Sequence, residues 1–148
     1  MSSNPKGFLA TGVAAGLKSS GLPDLALIQN VGPHKSAAAV FTKNRVIAAP
    51  VVWSKQVIKD GQIEAVLLNS GGANACTGPE GFADTHKSAE IVSESLGISS
   101  SDTFICSTGL IGVRLPMEKI EAGVALAVSN LNAALSPPNR RHHSNSDG

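Results

Sequence analysis

Two short stretches carry the side chains that could do chemistry. The first is residues 69–78, Asn-Ser-Gly-Gly-Ala-Asn-Ala-Cys-Thr-Gly. Gly71 and Gly72 would let the backbone approach another group closely. Free N–H groups at the start of a following helix would favour an anion. A phosphate or carboxylate cradle is therefore one reading. The other is a packing turn whose Asn69 and Asn74 amides satisfy buried backbone. The stretch has neither the Gly-Lys-Ser/Thr ending of a P-loop nor the Gly-x-Gly-x-x-Gly of a dinucleotide fold. The second stretch is residues 106–112, Cys-Ser-Thr-Gly-Leu-Ile-Gly. The Thr108 hydroxyl and the Gly109 N–H are two donors that can converge on one oxygen, which is the material of an oxyanion hole. Glycine at 109 permits the unusual backbone geometry needed to aim that amide. Ser107 or Thr108 could instead be a nucleophile, but each would need a base.

Bases are scarce. His86 lies in a helical pattern at the edge of its apolar stripe and reads as a core-edge or surface histidine. His34 sits in a turn and reads as solvated. Cys76 and Cys106 form neither a disulfide framework nor a zinc pattern. With no neighbouring cation in sequence, they read as buried, inert thiols of a reducing compartment. Glu80 and Asp84 share a helix face and read as solvated first-turn acids. No carboxylate pair or metal-ligand cluster emerges. His142 and His143 lie in a polar tail without further ligands.

These stretches need elements to hold them. Phe8 to Lys18, Asp24 to Val31, Ala37 to Thr42 and Pro50 to Ile58 read as strands, although Trp53 to Ile58 could begin a helix. Ala65 to Asn69 is a continuous apolar run of the kind found in a strand buried on both faces. Thr77-Gly-Pro-Glu80 has the form of a capping box with proline in the first turn. Phe82, Ala89, Val92 and Leu96 then make a helical stripe, closed by Gly97. Thr103 to Cys106 reads as a short buried strand, with 107–112 as a tight loop after it. Pro116 opens a second helix with a stripe through Ile120, Val124, Ala127 or Val128, Leu131 and Leu135. The expected fold is α/β: a mixed sheet of five or six strands with two late helices. One domain over 1–135 is expected, with a disordered tail over 136–148, where Ser-Pro-Pro-Asn-Arg-Arg-His-His-Ser-Asn-Ser-Asp-Gly cannot bury enough to offset ordering.

Composition narrows the classes. The chain has 148 residues, a net charge of +1, 42% hydrophobic and 16% charged side chains, which is globular. The balanced charge argues against nucleic-acid or membrane-surface partners. Four Phe, one Trp and no Tyr leave no stacking platform for single strands. No apolar run is long enough to span a membrane and no signal sequence opens the chain, so a soluble cytoplasmic protein is expected.

Several stretches resemble the ornithine acetyltransferase (glutamate N-acetyltransferase) family of arginine biosynthesis. They are KGFLATGVAAGLK (6–18), DLALI (24–28), AAAVFTKNRVIAAPVVWS (37–54), AVLLNSGGANACTGPEGFADTH (65–86) and CSTGLIGVRLPMEKI (106–120). The resemblance covers roughly residues 6–135, in the family's order and spacing. It implies a layered α/β fold of the N-terminal-nucleophile type. It further implies a precursor that cleaves itself before a threonine into α and β pieces, which assemble as an αβ heterotetramer. The new N-terminal Thr of β takes an acetyl group from N-acetylornithine and passes it to glutamate. The freed amine serves as base for its own hydroxyl, so no histidine is required. Some members also use acetyl-CoA as donor, and no cofactor is otherwise implied. The family's Thr-Gly oxyanion pair corresponds to Thr108 and Gly109.

The sequence also departs from the family. It reaches 136–148 without an Ala-Ile-Met-Thr-Thr-like cleavage segment, and Ala10-Thr11 is its only Ala-Thr dipeptide. No nucleophile and no assignable substrate-binding residue is expected in this stretch. The expectation is an α-chain-like part that needs a β chain. The competing reading is a truncated, non-catalytic remnant left by a frameshift or early stop, with at most partner or small-anion binding.

Overall fold

The computed structural model describes residues 5–135; the expectations for 136–148, including His142 and His143, lie outside them. Four strands form one mixed sheet in the order β1-β2-β3-β4: β1 (Phe8–Val13), β2 (Leu25–Asn30), β3 (Ala65–Gly72) and β4 (Thr103–Leu110). The β1-β2 and β2-β3 pairs are antiparallel. β4 runs parallel to β3, because the chain crosses over between them through a helix. The three long helices are α1 (Ala49–Val57), α2 (Gly78–Leu96) and α3 (Met117–Leu135).

Strand alternation splits the sheet into two unlike faces. Leu25, Leu27, Ala65, Leu67 and Ile105 point inward and are buried with Ala89 and Val92 of α2 and Ile120, Val124, Ala127 and Leu131 of α3. This is the core, and the two late helices supply their expected stripes to it. Leu135 falls off the end of its stripe and is exposed. Among the described residues no helix covers the other face, though α1 borders it beside Phe104 and Cys106. Ala10, Ile28, Val66 and Phe104 lie in register across all four strands, and so do Gly12, Ala26, Leu68 and Cys106. Phe41, stacked on Phe104 at 6.0 Å between ring centroids, reaches over one end of it, and Pro23 lies against Gly12 at the other.

Three expectations need correction. Residues 50–58 are helical, not a strand. Pro50 sits in the first turn of α1, where its missing N–H costs nothing, and Trp53 and Val57 then bury one helical face. Ala37 to Thr42 has no regular secondary structure and pairs with no strand, so the sheet has four strands rather than five or six. The expected tight loop at 107–112 is largely strand, since β4 continues to Leu110 in register with Ser70 and Gly71.

α1 completes the sheet by a means that periodicity does not reveal. The outer side of β4 is an edge, and unpaired edge groups need partners. Trp53 Nε1 donates to the Thr103 carbonyl at 3.0 Å. Ser54 Oγ donates to the Ile105 carbonyl at 2.8 Å and accepts from the Ile105 N–H at 3.1 Å. Two side chains thus stand in for a fifth strand over the first half of β4.

Candidate active site at the end of the parallel pair

The two chemistry-bearing stretches come together where β3 and β4 end. Gly71 is paired with Gly109, and the register shifts at Gly71 and Gly72, which makes a β-bulge. Gly109 has φ +126°. A Cβ there would stand 2.5 Å from the Gly71 carbonyl carbon and 2.7 Å from the Gly72 nitrogen. Only glycine can occupy a backbone position so placed. Gly71 also has positive φ, and its missing Cβ lets the Leu17 backbone approach.

Thr108 and Gly109 are exposed, and the Thr108 hydroxyl has no hydrogen-bond partner among the described residues. Thr108 belongs to the helix-free face, in line with Leu68, Ser70 and Cys106. The alternation that turns the Ile105 N–H outward to Ser54 turns the Gly109 N–H, four residues on, to the same edge. The Thr108 hydroxyl and the Gly109 amide thus sit side by side at one corner of the sheet. Two depressions meet there. One, of about 690 Å³, runs between the 17–20 loop and Thr108-Gly109. The other, of about 310 Å³, lies on the open face from Gly12 and Ala26 to Cys106 and Thr108. Ser70 and Thr108 border both. An oxygen that develops negative charge at this corner could accept from both donors.

The wall formed by 17–20 depends on Asp24, which the sequence marked only as a turn. Asp24 is 4% exposed. Its carboxylate accepts from the N–H groups of Ala15, Leu17 and Lys18 at 2.7, 2.7 and 2.9 Å. Burial alone would raise this carboxyl. The three backbone donors, with the Lys18 charge, outweigh it and hold the group below its ordinary value. A carboxyl depressed in the folded state stabilises the fold above its unfolded pKa of about 3.9. That contribution is lost as pH falls through the lower native value. Urea midpoints are thus expected to drop between about pH 4 and pH 2 in the parent. In Asp24→Asn the drop should be shallower, from a lower starting stability at neutral pH.

The other candidates take structural roles. In residues 69–78 the packing-turn reading accounts for the amides. Asn74, fully buried with φ 49°, donates from Nδ2 to the Gly81 carbonyl at 2.7 Å and to Thr85 Oγ1 at 2.9 Å. Thr77 does not close a capping box; its hydroxyl donates to Asn74 Oδ1 at 2.7 Å. Asp84 is not a solvated acid. It is 5% exposed and takes a two-pronged hydrogen bond from Arg114 Nε and Nη2 at 2.8 and 2.7 Å, while Glu80 receives Nη1. The arginine's charge is reinforced accordingly, and the 111–116 segment is tied to α2. Cys76 is exposed and Cys106 half-buried, so the thiols are not a buried pair. Burial pushes the Cys106 thiol up, away from a reactive thiolate. His86 lies at the core edge, with its ring 5.0 Å from Trp53 in an edge contact, and it faces Glu90 at 3.5 Å. His34 is exposed. Among the described residues no three His, Cys, Asp or Glu side chains could hold a metal, and no helix is long and apolar enough to cross a membrane.

A mixed four-stranded sheet with its core helices on one face and an exposed Thr-Gly pair at the end of its parallel strands define a mixed α/β fold. The ArgJ family model matches residues 9–143, and the chain belongs to the ArgJ family. Among curated relatives, the "arginine biosynthesis bifunctional protein ArgJ" of Streptomyces coelicolor is 60% identical over 127 residues, covering 86% of this chain and 33% of that protein. The protein of the same name from Mycobacterium tuberculosis is 57% identical over 136 residues, covering 88% and 34%. The chain thus spans about a third of the length of these relatives. Among solved structures, the ornithine acetyltransferase of Mycobacterium tuberculosis complexed with ornithine superposes with a TM-score of 0.83 at 58% identity, over 84% of this chain and 67% of that one. The arginine biosynthesis bifunctional protein of Bacillus halodurans gives 0.76 at 39% identity, over 80% and 62%.

Proposed function

We propose that this chain acts as the α-chain-like part of a cytoplasmic ornithine acetyltransferase in arginine biosynthesis. Thr108 and Gly109 supply the oxyanion hole, and a β chain with an N-terminal threonine supplies the nucleophile. The β threonine hydroxyl attacks the acetyl carbonyl of N-acetylornithine, with its own amine taking the proton. Negative charge gathers on the carbonyl oxygen, where the Thr108 hydroxyl and Gly109 N–H receive it. Ornithine leaves with that proton on its amine, and the acetyl group stays as an ester on the threonine. The amine of glutamate then attacks the ester through a second tetrahedral intermediate charged at the same corner, its proton passing through the threonine amine back to the hydroxyl. Acetyl-CoA could load the same nucleophile as an alternative donor. The chemistry calls for no cofactor or metal.

The observation that carries this reading is the open sheet face that ends at Thr108. It is apolar along Ala26, Ile28, Val66 and Leu68, lacks the helical cover of the opposite face, and leads to a donor pair without a nucleophile. A face of this kind calls for a second layer. A β chain docked there would bring its threonine to the corner, and pairing two such units gives the αβ heterotetramer.

The test is reconstitution. The chain is co-expressed with the part of the Streptomyces coelicolor relative beyond the matched segment, and ornithine release from N-acetylornithine is followed with and without glutamate. Transfer is expected only when both pieces are present. Thr108→Ala should lower kcat by about 10²-fold, the usual cost of one oxyanion donor. A co-purifying complex without transfer, or one indifferent to Thr108→Ala, would overturn the proposal.

A further inference from the structure

The geometry points to Asn69 as a positioning residue that sets the Gly109 amide through the β3 bulge, an assignment that rests on the oxyanion reading of Thr108 and Gly109. Asn69 is buried on the helix-covered face, two residues before the bulge and level with Ser107. Its side chain makes two bonds of different purpose. Nδ2 donates to the Gly72 carbonyl at 3.1 Å, and Oδ1 accepts from Ser107 Oγ at 2.5 Å. The first holds a carbonyl of the bulged segment, where ladder bonding is locally disrupted. The second grips β4 immediately before Thr108.

The carbonyl held in this way closes the C-terminal side of Gly72, and the peptide on its N-terminal side, Gly71-Gly72, is the surface against which Gly109 rests. The construction with a Cβ at 109 falls 2.5 Å from Gly71 carbon and 2.7 Å from Gly72 nitrogen. With so little space, the conformation of Gly109 follows that of the peptide. On the far side Gly72 is backed by Leu115, which a Cβ at 72 would meet at 2.7 Å. The Gly71-Gly72 segment is therefore enclosed between Leu115 and Gly109, and the Asn69 amide anchors its C-terminal end through the Gly72 carbonyl, which limits how the preceding peptide can turn. A small rotation of this peptide would re-aim the Gly109 N–H. Oxyanion stabilisation depends steeply on donor direction, because its benefit arises from donors already in place.

Asn69→Asp isolates the first bond. The replacement keeps the shape and the Ser107 contact but sets an oxygen against the Gly72 carbonyl. Ser107→Ala isolates the second bond and leaves the Nδ2 bond intact. In the reconstituted complex, Asn69→Asp is expected to lower kcat about 30-fold, somewhat less than loss of a whole donor. KM for N-acetylornithine and glutamate should stay within about threefold, because ground-state binding does not use the pair. Ser107→Ala should cost less than about fivefold in kcat, since the bulge carbonyl stays held. Proportional changes in kcat and KM, or full activity in Asn69→Asp, would overturn the assignment.

A second readout does not need turnover. In amide spectra of the isotope-labelled chain, Asn69→Asp should shift Gly72 and Gly109 while leaving Leu67 and Ile105, earlier in the same strands, unmoved. Unshifted Gly109 would overturn the coupling, as would shifts spread along β3 and β4. A parent complex without transfer would count against the oxyanion reading alone, and the spectra would still decide whether Asn69 governs Gly109.

Discussion

Replacing Gly109 with alanine is expected to reduce acetyl transfer in the reconstituted complex by more than about 10³-fold, more than the loss of a single donor. Two penalties act together. A non-glycine residue with strongly positive φ costs about 1–2 kcal/mol. The methyl group would also stand 2.5–2.7 Å from backbone atoms of Gly71 and Gly72, which cannot rotate aside as a flexible side chain can. Forcing atoms into such a site costs about a further 1–3 kcal/mol. Relief requires the strand ends to part, and that displaces both donors at once. Denaturant unfolding should show a loss of about 3 kcal/mol, and transfer assays at temperatures where the variant stays folded should still show the rate deficit. A variant with parental kcat would mean that the Gly109 amide is not aimed by its contact with β3.

The largest expected effect on stability alone is at Trp53. Trp53→Ala should destabilise the chain by about 3–5 kcal/mol, as for other buried aromatic truncations. The residue is 7% exposed. Its ring lies 6.5 Å from that of Phe82 and 5.0 Å from that of His86, so it joins α1 to α2. Its Nε1 also satisfies the Thr103 carbonyl at the edge of β4. Alanine would leave a cavity between the helices and an unpaired carbonyl beneath it. Trp53→Phe fills most of the cavity but leaves the carbonyl without a donor, and should cost about 1–3 kcal/mol. Because Trp53 is the sole tryptophan, urea midpoints for these variants need circular dichroism. Equal losses for the two variants would assign the whole effect to the hydrogen bond.

The late helices and the four strands that formed could be read in the sequence because their periodicity comes from burial on one side. Ile120, Val124, Ala127 and Leu131 meet the sheet where a 3.6-residue repeat puts them. α1 escaped because Pro-Val-Val-Trp is as good a strand as a helix by composition. Its helical state is decided by tertiary groups 50 residues away, the edge of β4 that Trp53 and Ser54 complete. The Ala37 to Thr42 run was apolar enough for a strand, but the first half of the β4 edge near it is already satisfied by Trp53 and Ser54. Thr108 and Gly109 stood out locally as a hydroxyl next to a glycine. What the sequence could not display was that the glycines at 71 and 72 form the surface against Gly109, since that contact joins segments 38 positions apart. The Asp84-Arg114 pair was hidden for the same reason. An acid in a helical first turn looks solvated until a distant loop returns over it.

The crossover between β3 and β4 also bears on when the corner takes shape during folding. β1 and β2 can zip through nearby contacts, but Gly71 meets Gly109 only after the intervening α2 segment has docked and closed a long loop. Contacts of this separation form late and slowly. The same docking step brings α2 beside Trp53, so the indole changes its surroundings as the two strand ends meet. Intrinsic fluorescence thus becomes a clock for assembly of the Thr108-Gly109 corner, while the local β1-β2 hairpin can form unseen before it.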